Sequence, residues 1–182
     1  MDLQTPKLTY DDYALIPDDG LRHEIIDGAH YVNPAPNVRH QRVVLRLVKA
    51  LVNYVDDHEL GEVFVSPIDV VLSRHDVVQP DLLFVRKENA GEVYGANLKI
   101  APDLVVEVLS ISNRRHDEVR KLRLYDTFNV AEYWIADPEE EVVKVFRRGE
   151  KGLTLVETAD IDGTITTSLL PGFSLALHRV FV

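Results

Sequence analysis

The chain has 182 residues, of which 46% are hydrophobic and 27% are charged, a composition typical of a globular domain and unlike that of a disordered chain. It contains no cysteine, which excludes disulfides and thiolate zinc sites. The net charge of −10 argues against a general nucleic-acid-binding protein, although basic residues cluster at Arg39–Lys49 and Arg114–Arg123.

The first third of the chain predicts a short helix, a hairpin and a long helix. Polar and turn-forming residues separate these elements, and Asn37 has the side chain of a good helix N-cap. We expect the short helix at Thr9–Ala14, hairpin strands at His23–Ile26 and Ala29–Val32 around an Asp27-Gly28 turn, and the long helix from Asn37 to about His58.

The remainder predicts mostly strands, with one helix at Asp117–Phe128. We expect strands at Val63–Val65, Ile68–Leu72, Leu82–Val85, Leu104–Leu109, Glu132–Ile135, Val142–Phe146 and Thr154–Glu157. The lone Trp134 is expected in the core, and the tail is expected to close onto it. Because strands and helices do not alternate strictly, we predict an α/β (α+β) fold with a mixed sheet flanked by helices, in one domain spanning residues 1–182.

Glu107 is a charged residue inside LVVEVL, an otherwise apolar strand. A buried carboxylate without a partner costs several kcal/mol, so Glu107 should contact a cation or a metal ion. The alternatives are that it faces solvent on an edge strand, or that it pairs with an arginine.

Asp81 follows Pro80 and opens the strand that we expect beside the Glu107 strand. Two carboxylates from neighbouring strands can hold one hard divalent cation through oxygen ligands. Such a cation polarises a phosphodiester and activates water. Taken alone, a Pro-Asp pair is a weak signal, because such pairs are common in turns and a turn would be the favoured interpretation.

Lys121 is the third candidate. On a helical wheel of about 100° per residue, it shares the apolar arc with Leu124, Tyr125 and Phe128. A lysine in this position predicts a buried negative partner, and the alternative is a lysine that extends to the surface at the rim.

Several short stretches, in a fixed order along most of the chain, match those of a known family. They are HEIIDG at His23–Gly28, His40 after the proline-rich NPAPNVR, QPDLLFV at Gln79–Val85, PDLVVEVLS at Pro102–Ser110, the Lys121-to-Tyr125 spacing, VAEYWIADP at Val130–Pro138 and LPGF at Leu170–Phe173. Together they resemble the Uma-type putative restriction endonucleases, a branch of the PD-(D/E)xK nuclease superfamily.

The resemblance implies a restriction-endonuclease-like fold and an endonuclease that depends on Mg²⁺ or Mn²⁺. It implies that Asp81 and Glu107 are metal ligands. It also implies that Lys121 is a migrated active-site lysine, because Leu109 stands where the superfamily pattern has its lysine.

The same resemblance points to auxiliary residues. Glu24 matches a catalytic position that holds metal or water. His40 matches one that touches a phosphate or the metal shell, and the alternative is a structural histidine at the start of the helix. We also predict substrate contacts for Tyr125 and for Arg114 and Arg115 just before the second helix, where a solvated loop is the alternative.

Two other functions remain open: an inactive binding or scaffolding module that retains the nuclease fold, and a metal-dependent hydrolase of another phosphoester. For the endonuclease, the expected partner is nucleic acid, with DNA as the first choice. A homodimer is expected from the mechanism, since one such site cuts one strand. Without a signal-like start or an apolar run of about 18 residues, we expect a cytoplasmic protein with no membrane contact.

Overall fold

Helices and strands follow nearly the predicted order in a computed structural model that describes residues 6–90, 95–110, 114 and 116–181. The helices are α1 (Tyr10–Tyr13), α2 (Val38–Asp57), a π-helix (His116–Lys121), α3 (Leu122–Thr127) and α4 (His178–Phe181). The strands are β1 (Arg22–Ile26), β2 (Ala29–Asn33), β3 (Gly61–Val65), β4 (Val70–Ser73), β5 (Asp76–Val78), β6 (Leu82–Arg86), β7 (Leu104–Val108), β8 (Glu132–Asp137), β9 (Val142–Gly149), β10 (Gly152–Asp160), β11 (Thr164–Thr166) and β12 (Ser174–Ala176).

Six strands form a central sheet in the order β10-β9-β8-β7-β6-β3. β7 and β8 run parallel, and the other neighbours run antiparallel. A parallel pair needs a crossover connection, and the π-helix and α3 lie in it. The sheet is therefore mixed and flanked by helices, which confirms the predicted fold class.

All five residues of β7 are buried, as its nearly continuous apolar sequence predicts. Leu104, Val106 and Val108 pack into a core that includes one face of α2. Val105 faces the other way, into a second core that includes Tyr125 of α3. Because side chains alternate along a strand, Glu107 points toward this second core.

A second sheet, with the strand order β2-β1-β5-β4, is separate from the central sheet. Its hairpin was predicted: Asp27 and Gly28 both have positive φ, 51° and 74°, as a two-residue type I′ turn requires. β5 was not predicted, because it is only three residues long and begins with a charged residue. It matters because Val77 pairs with Ile25 and so fixes β1, which carries Glu24.

The second predicted helix differs from expectation. The segment expected to be one regular α-helix over Asp117–Phe128 is a π-helix over His116–Lys121 and an α-helix over Leu122–Thr127. The π-helix is wider, and it brings His116, Asp117 and Lys121 into the buried interior together.

The C-terminal part packs on α2 and the first core, as expected. β11 and β12 form a two-stranded sheet, and α4 contacts α2. Apolar residues from this part of the chain complete the core: Ile165, Leu170, Phe173, Leu175, Leu177 and Val180. Among the residues that the structure describes, none of the helices combines the length and apolar character that crossing a bilayer requires.

Candidate active site

Three strands bring three buried carboxylates into one region. Glu24 lies in β1, Asp81 immediately precedes β6, and Glu107 lies in β7; their exposed fractions are 0%, 3% and 1%. In the antiparallel β6–β7 ladder Leu82 pairs with Val106, so Asp81 and Glu107 lie opposite each other one position further along. Their side chains therefore leave the same face of the sheet, as a shared metal site would need.

The Lys121 amine lies among these carboxylates. Its Nζ atom is 2.8 Å from Glu107 Oε1 and 3.0 Å from Glu24 Oε1. Asp117 Oδ1 lies 3.5 Å away. Burial opposes the charged amine, but the carboxylates outweigh it and raise the pKa of Lys121 above its usual value. The amine is therefore a buried, permanently charged cation.

The π-helix explains how Lys121 reaches this position. In a π-helix residues five apart are neighbours, so His116 stands beside Lys121, and Asp117 lies within reach one position later. Glu118 points away, where it accepts a bond from Lys144 at 2.7 Å. The π-helix thus directs the side chains of His116, Asp117 and Lys121 into the interior and that of Glu118 away from it.

Asp81 is held from three sides. Arg22 Nη1 donates to Oδ1 at 2.7 Å, His40 Nε2 lies 3.2 Å from Oδ2, and the Val108 amide donates to Oδ2 at 2.8 Å. Burial raises the pKa of Asp81, but the His40 and Arg22 contacts prevail and lower it to about 2. Asp81 is therefore ionised at neutral pH.

Helix capping positions His40. The Asn37 side chain accepts a hydrogen bond from the His40 amide at 2.9 Å and so begins α2 at this point. The imidazole is consequently delivered to Asp81 from the first turn of a 20-residue helix.

The buried carboxylates differ in pKa because four of them share two permanently charged cations, Arg22 and Lys121. Burial raises the pKa of Glu107, and it raises that of Asp117 well above its usual value. Burial also opposes ionisation of Glu24, but Lys121 and hydrogen bonds from its surroundings lower its pKa. The excess negative charge makes this cluster a favourable place for another cation.

Glu24 has further partners that fix its orientation. Asn33 Nδ2 donates to Oε2 and the Gln79 amide donates to Oε1, both at 2.8 Å. His116 Nε2 lies 3.6 Å from Oε2. Because Glu24 of β1 also forms an ion pair with Lys121, it connects the second sheet to the π-helix.

The residues predicted to bind substrate are placed differently from one another. Tyr125 is 0% exposed, and its hydroxyl donates to Glu107 Oε1 at 2.9 Å. Arg114 is part exposed and paired with Asp137. Arg115 lies outside the described residues. His40 lines a surface cavity with Asp81.

Three residues of this cluster were missed from the sequence: Arg22, His116 and Asp117. Arg22 and Glu24 alternate along one strand, so a cation and an acid on the same face was a usable signal. Asp117 and Lys121 are four apart, a spacing at which acid–lysine pairs form on helices. No sequence signal marks His116, because the π-helix that turns it inward was not predicted.

A cavity of about 290 Å³ opens onto this cluster. Arg22, His40 and Asp81 line it, together with the segments Asn33–Pro36 and Val65–Pro67. The site is therefore reachable at Asp81, while Lys121 and Glu107 lie behind it, fully buried.

The donor set suits a hard divalent cation of the Mg²⁺ type, which proteins hold through one or two carboxylates plus water and phosphate. Asp81 and Glu107 could supply that pair. Within the described ranges no group of three or more His, Asp or Glu side chains is arranged as a ready-made metal cluster. Two buried ring nitrogens, His40 Nδ1 and His116 Nε2, have no hydrogen-bond partner among the residues that the structure describes.

The comparisons with known proteins concern the fold and the family. A search of curated proteins gives no match. The crystal structure of a putative nuclease belonging to DUF820 from Anabaena variabilis ATCC 29413 has a TM-score of 0.81 with this chain, at 19% identity, covering 96% of this chain and 97% of that one. At this identity the likeness shows the fold alone. The Uma2 family of putative restriction endonucleases matches residues 10–178, and the chain, with its fold and buried carboxylate–lysine cluster, therefore belongs to that family.

Proposed function

We propose that the protein is a metal-dependent endonuclease that hydrolyses phosphodiester bonds of nucleic acid, with DNA as the substrate. One observation carries the proposal: Asp81 and Glu107 leave the same face of adjacent strands, and a buried charged amine lies 2.8 Å from Glu107. This combination suits phosphodiester hydrolysis, because an ion held by the carboxylates can activate the entering water while the amine offsets charge on the phosphate.

Asp81 and Glu107 would hold the Mg²⁺ or Mn²⁺ ion. When bound, such an ion polarises the phosphodiester and activates the attacking water. Glu24 and Tyr125 support this arrangement from behind, since Glu24 fixes Lys121 and the Tyr125 hydroxyl fixes Glu107. The low pKa of Asp81 keeps one ligand ionised at neutral pH.

Lys121 acts as a charged group and not as a base, because its raised pKa keeps the amine protonated. It orients the attacking water and offsets the negative charge that develops on the phosphate. This is the role of the migrated lysine, supplied by the π-helix while Leu109 occupies the usual position.

Arg22 and His40 are placed to meet the substrate. Both line the cavity beside Asp81, and the Arg22 side chain is 23% exposed. A guanidinium binds phosphate oxygens through two parallel hydrogen bonds. If Asp81 turns to an ion, Arg22 is released from that carboxylate and can hold the scissile phosphate.

The direct experiment is a cleavage panel of supercoiled plasmid, linear duplex, single-stranded DNA and RNA, each with Mg²⁺, Mn²⁺ or chelator. We expect cleavage of DNA that needs the cation and is lost in Asp81→Asn. Asp103→Asn is the matched control, because Asp103 is also buried but binds Arg86 away from the site. Cleavage that survives in Asp81→Asn contradicts the assignment.

The same plasmid assay examines the expected homodimer. One site cuts one strand, so a monomer yields nicked circles, whereas two sites acting together yield linear product. Sedimentation of the protein at the assay concentration gives its oligomeric state independently.

A non-catalytic binding module is the second candidate. It is favoured by the net charge of −10 and by Arg22 and Lys121, which already occupy oxygens of Asp81 and Glu107. Calorimetric titration with Mn²⁺ separates the two functions: a binding module shows no heat that depends on Asp81, whereas the nuclease shows heat that Asp81→Ala removes.

A further inference from the structure

Helix α2 carries basic residues along one flank that plays no part in the site. Arg42, Arg46 and Lys49 recur three or four residues apart, so they lie above one another along the helix. Arg42 and Lys49 are exposed and Arg46 is half-buried. The buried face of α2, which includes His40 and Leu47, points elsewhere.

These residues line two cavities, each bordered by α2 and α4. Arg42 borders a cavity of about 380 Å³ together with Val180 and Phe181. Arg46 and Lys49 border a second cavity of about 580 Å³, where Arg179 of α4 joins them. One acidic residue, Asp57, lines the same cavity. We call Arg42, Arg46, Lys49 and Arg179 the basic groove.

The cations of the basic groove lack acidic partners, unlike most cations of this acidic protein. In the described part of the chain, eight lysines and arginines have no carboxylate oxygen within 4.0 Å, and four of the eight form the basic groove. Their uncompensated charge is concentrated on one surface of a molecule whose net charge is −10. A surface of this kind attracts a polyanion locally while the rest repels it.

We propose that the basic groove binds the phosphate backbone of the nucleic acid on one side of the cleavage position. The identity of this polyanion rests on the proposed nuclease function. The seven helical steps from Arg42 to Lys49 span about 10 Å. That length covers about three phosphates of one duplex strand, which are spaced about 3.4 Å along the axis.

The groove is connected to the site through α2 itself. The helix begins at the site, where His40 meets Asp81, and the basic flank extends away from that first turn. Because His40 belongs to the buried face, the groove cations do not reach Asp81. They hold flanking phosphates, so they contribute affinity and its salt dependence without contacting the scissile bond.

The test is binding of a fluorescein-labelled 24-base-pair duplex to the full chain, followed by anisotropy over a series of salt concentrations without divalent cation. We expect Arg42→Gln/Lys49→Gln to weaken binding roughly tenfold or more and to reduce the slope of log affinity against log salt by about 1.8. A single-stranded 24-mer gives a smaller reduction, about 1.4, if one strand alone occupies the groove.

Lys99→Gln/Lys151→Gln is the matched control. Both lysines are exposed, have no ion pair among the described residues and lie outside the groove, so the same charge change should leave affinity and slope nearly unchanged. Thermal unfolding of each variant checks that the fold is intact.

The outcomes separate this proposal from the nuclease function. An equal loss of duplex affinity in both double variants, or no loss in either, overturns the proposal that the basic groove binds the phosphate backbone. Groove-dependent binding to vesicles containing phosphatidylserine but not to the duplex also overturns it, in favour of a membrane surface. If the wild type binds through the groove but does not cleave with Mg²⁺ or Mn²⁺, the nuclease proposal fails and the groove stands.

Discussion

The central sheet buries a glutamate on each of its two faces, and the surroundings of the two differ. Glu107 of β7 belongs to a cluster with Glu24, Asp81 and Asp117, where four carboxylates face Arg22 and Lys121. Glu132 of β8 points to the opposite face, into the core that contains Trp134. It is a single carboxylate that accepts bonds from three donors: Trp134 Nε1, Arg147 Nε and Thr167 Oγ1.

This comparison distinguishes a structural carboxylate from a candidate ligand. Glu132 has one cation and enough donors, so the protein satisfies it without help. Burial is the main cause that raises the pKa of Glu107 and Asp117, and it raises the pKa of Glu132 as well. Because burial is common to both sites, the local charge balance distinguishes them: four carboxylates share two cations in the Glu107 cluster, and a metal ion would be stabilised there.

The largest expected difference is between Glu107→Gln and Glu132→Gln. Removing a metal ligand should lower the cleavage rate by about a thousandfold or more. Glu132→Gln should leave the rate within about threefold of wild type, because its network lies on the other face of the sheet. Single-turnover cleavage of a labelled duplex measures both. Similar rate losses in the two variants would show that the comparison has no functional meaning.

Lys121→Ala should lower the rate by about 10²–10³, the cost of losing one preorganised charge-stabilising group. Affinity for Mn²⁺ should be retained or should rise, because a competing cation has been removed. Lys121→Arg should restore little, since a planar guanidinium does not replace a compact amine. Lys144→Ala is the control, because Lys144 pairs with Glu118 at a half-buried position away from the carboxylate cluster. A Lys121→Ala variant that loses metal binding contradicts the assigned role.

Divalent cation should stabilise the wild-type fold. At a metal concentration about 100 times Kd the gain is about 2.7 kcal/mol. For a chain of this size that raises Tm by roughly 5–10 °C. Differential scanning fluorimetry with and without Mn²⁺ measures it. The shift should disappear in Asp81→Asn and persist in Glu132→Gln, and a shift that persists in both would place the ion elsewhere.

The smallest expected effect is on the pH dependence of stability. Burial raises the pKa of Glu132 above its usual value of 4.5, although Trp134, Arg147 and Thr167 oppose this. The folded state then binds this proton more tightly than the unfolded chain, so the contribution of Glu132 to stability falls as pH rises through 4.5 toward the folded pKa.

Glutamine does not titrate, so the stability of wild type relative to Glu132→Gln should decrease over that pH window. Urea unfolding at a series of pH values measures the difference. A difference that is constant with pH would show that the pKa of Glu132 is the same in the folded and unfolded states.

Much of the fold could be predicted from sequence because its signals are local. The Asp27-Gly28 turn, the Asn37 cap and the apolar strands each depend on a few neighbouring residues. β5 could not be predicted, because three residues form a strand there only through pairing with β1 and β4. The formation of β5 therefore depends on pairing with other strands and not on the strand propensity of its own residues.

The same limit applies to the site. Asp81, Glu107 and Lys121 could be singled out because charge stands out against an apolar pattern. Glu132 stands in an apolar strand just as Glu107 does, yet only the structure shows that Arg147 and Thr167 satisfy it. Arg22 depends on a contact with Asp81 from a distant segment, so a single sequence could not rank it above other charged residues. Asp117 lies four residues before Lys121, a local signal that many surface pairs on helices share.

The π-helix has a consequence for how such lysines are sought in other chains. A template built on ideal α-helical geometry expects inward-facing partners three or four positions apart. Asp117 and Lys121 meet this expectation, but His116 faces inward five positions before Lys121, so the template would miss His116. A pattern search for lysines that have moved onto the following helix should therefore allow one extra residue in the turn. In a chain whose turn lacks this extra residue, the lysine should be rotated by about a quarter-turn around the helix axis.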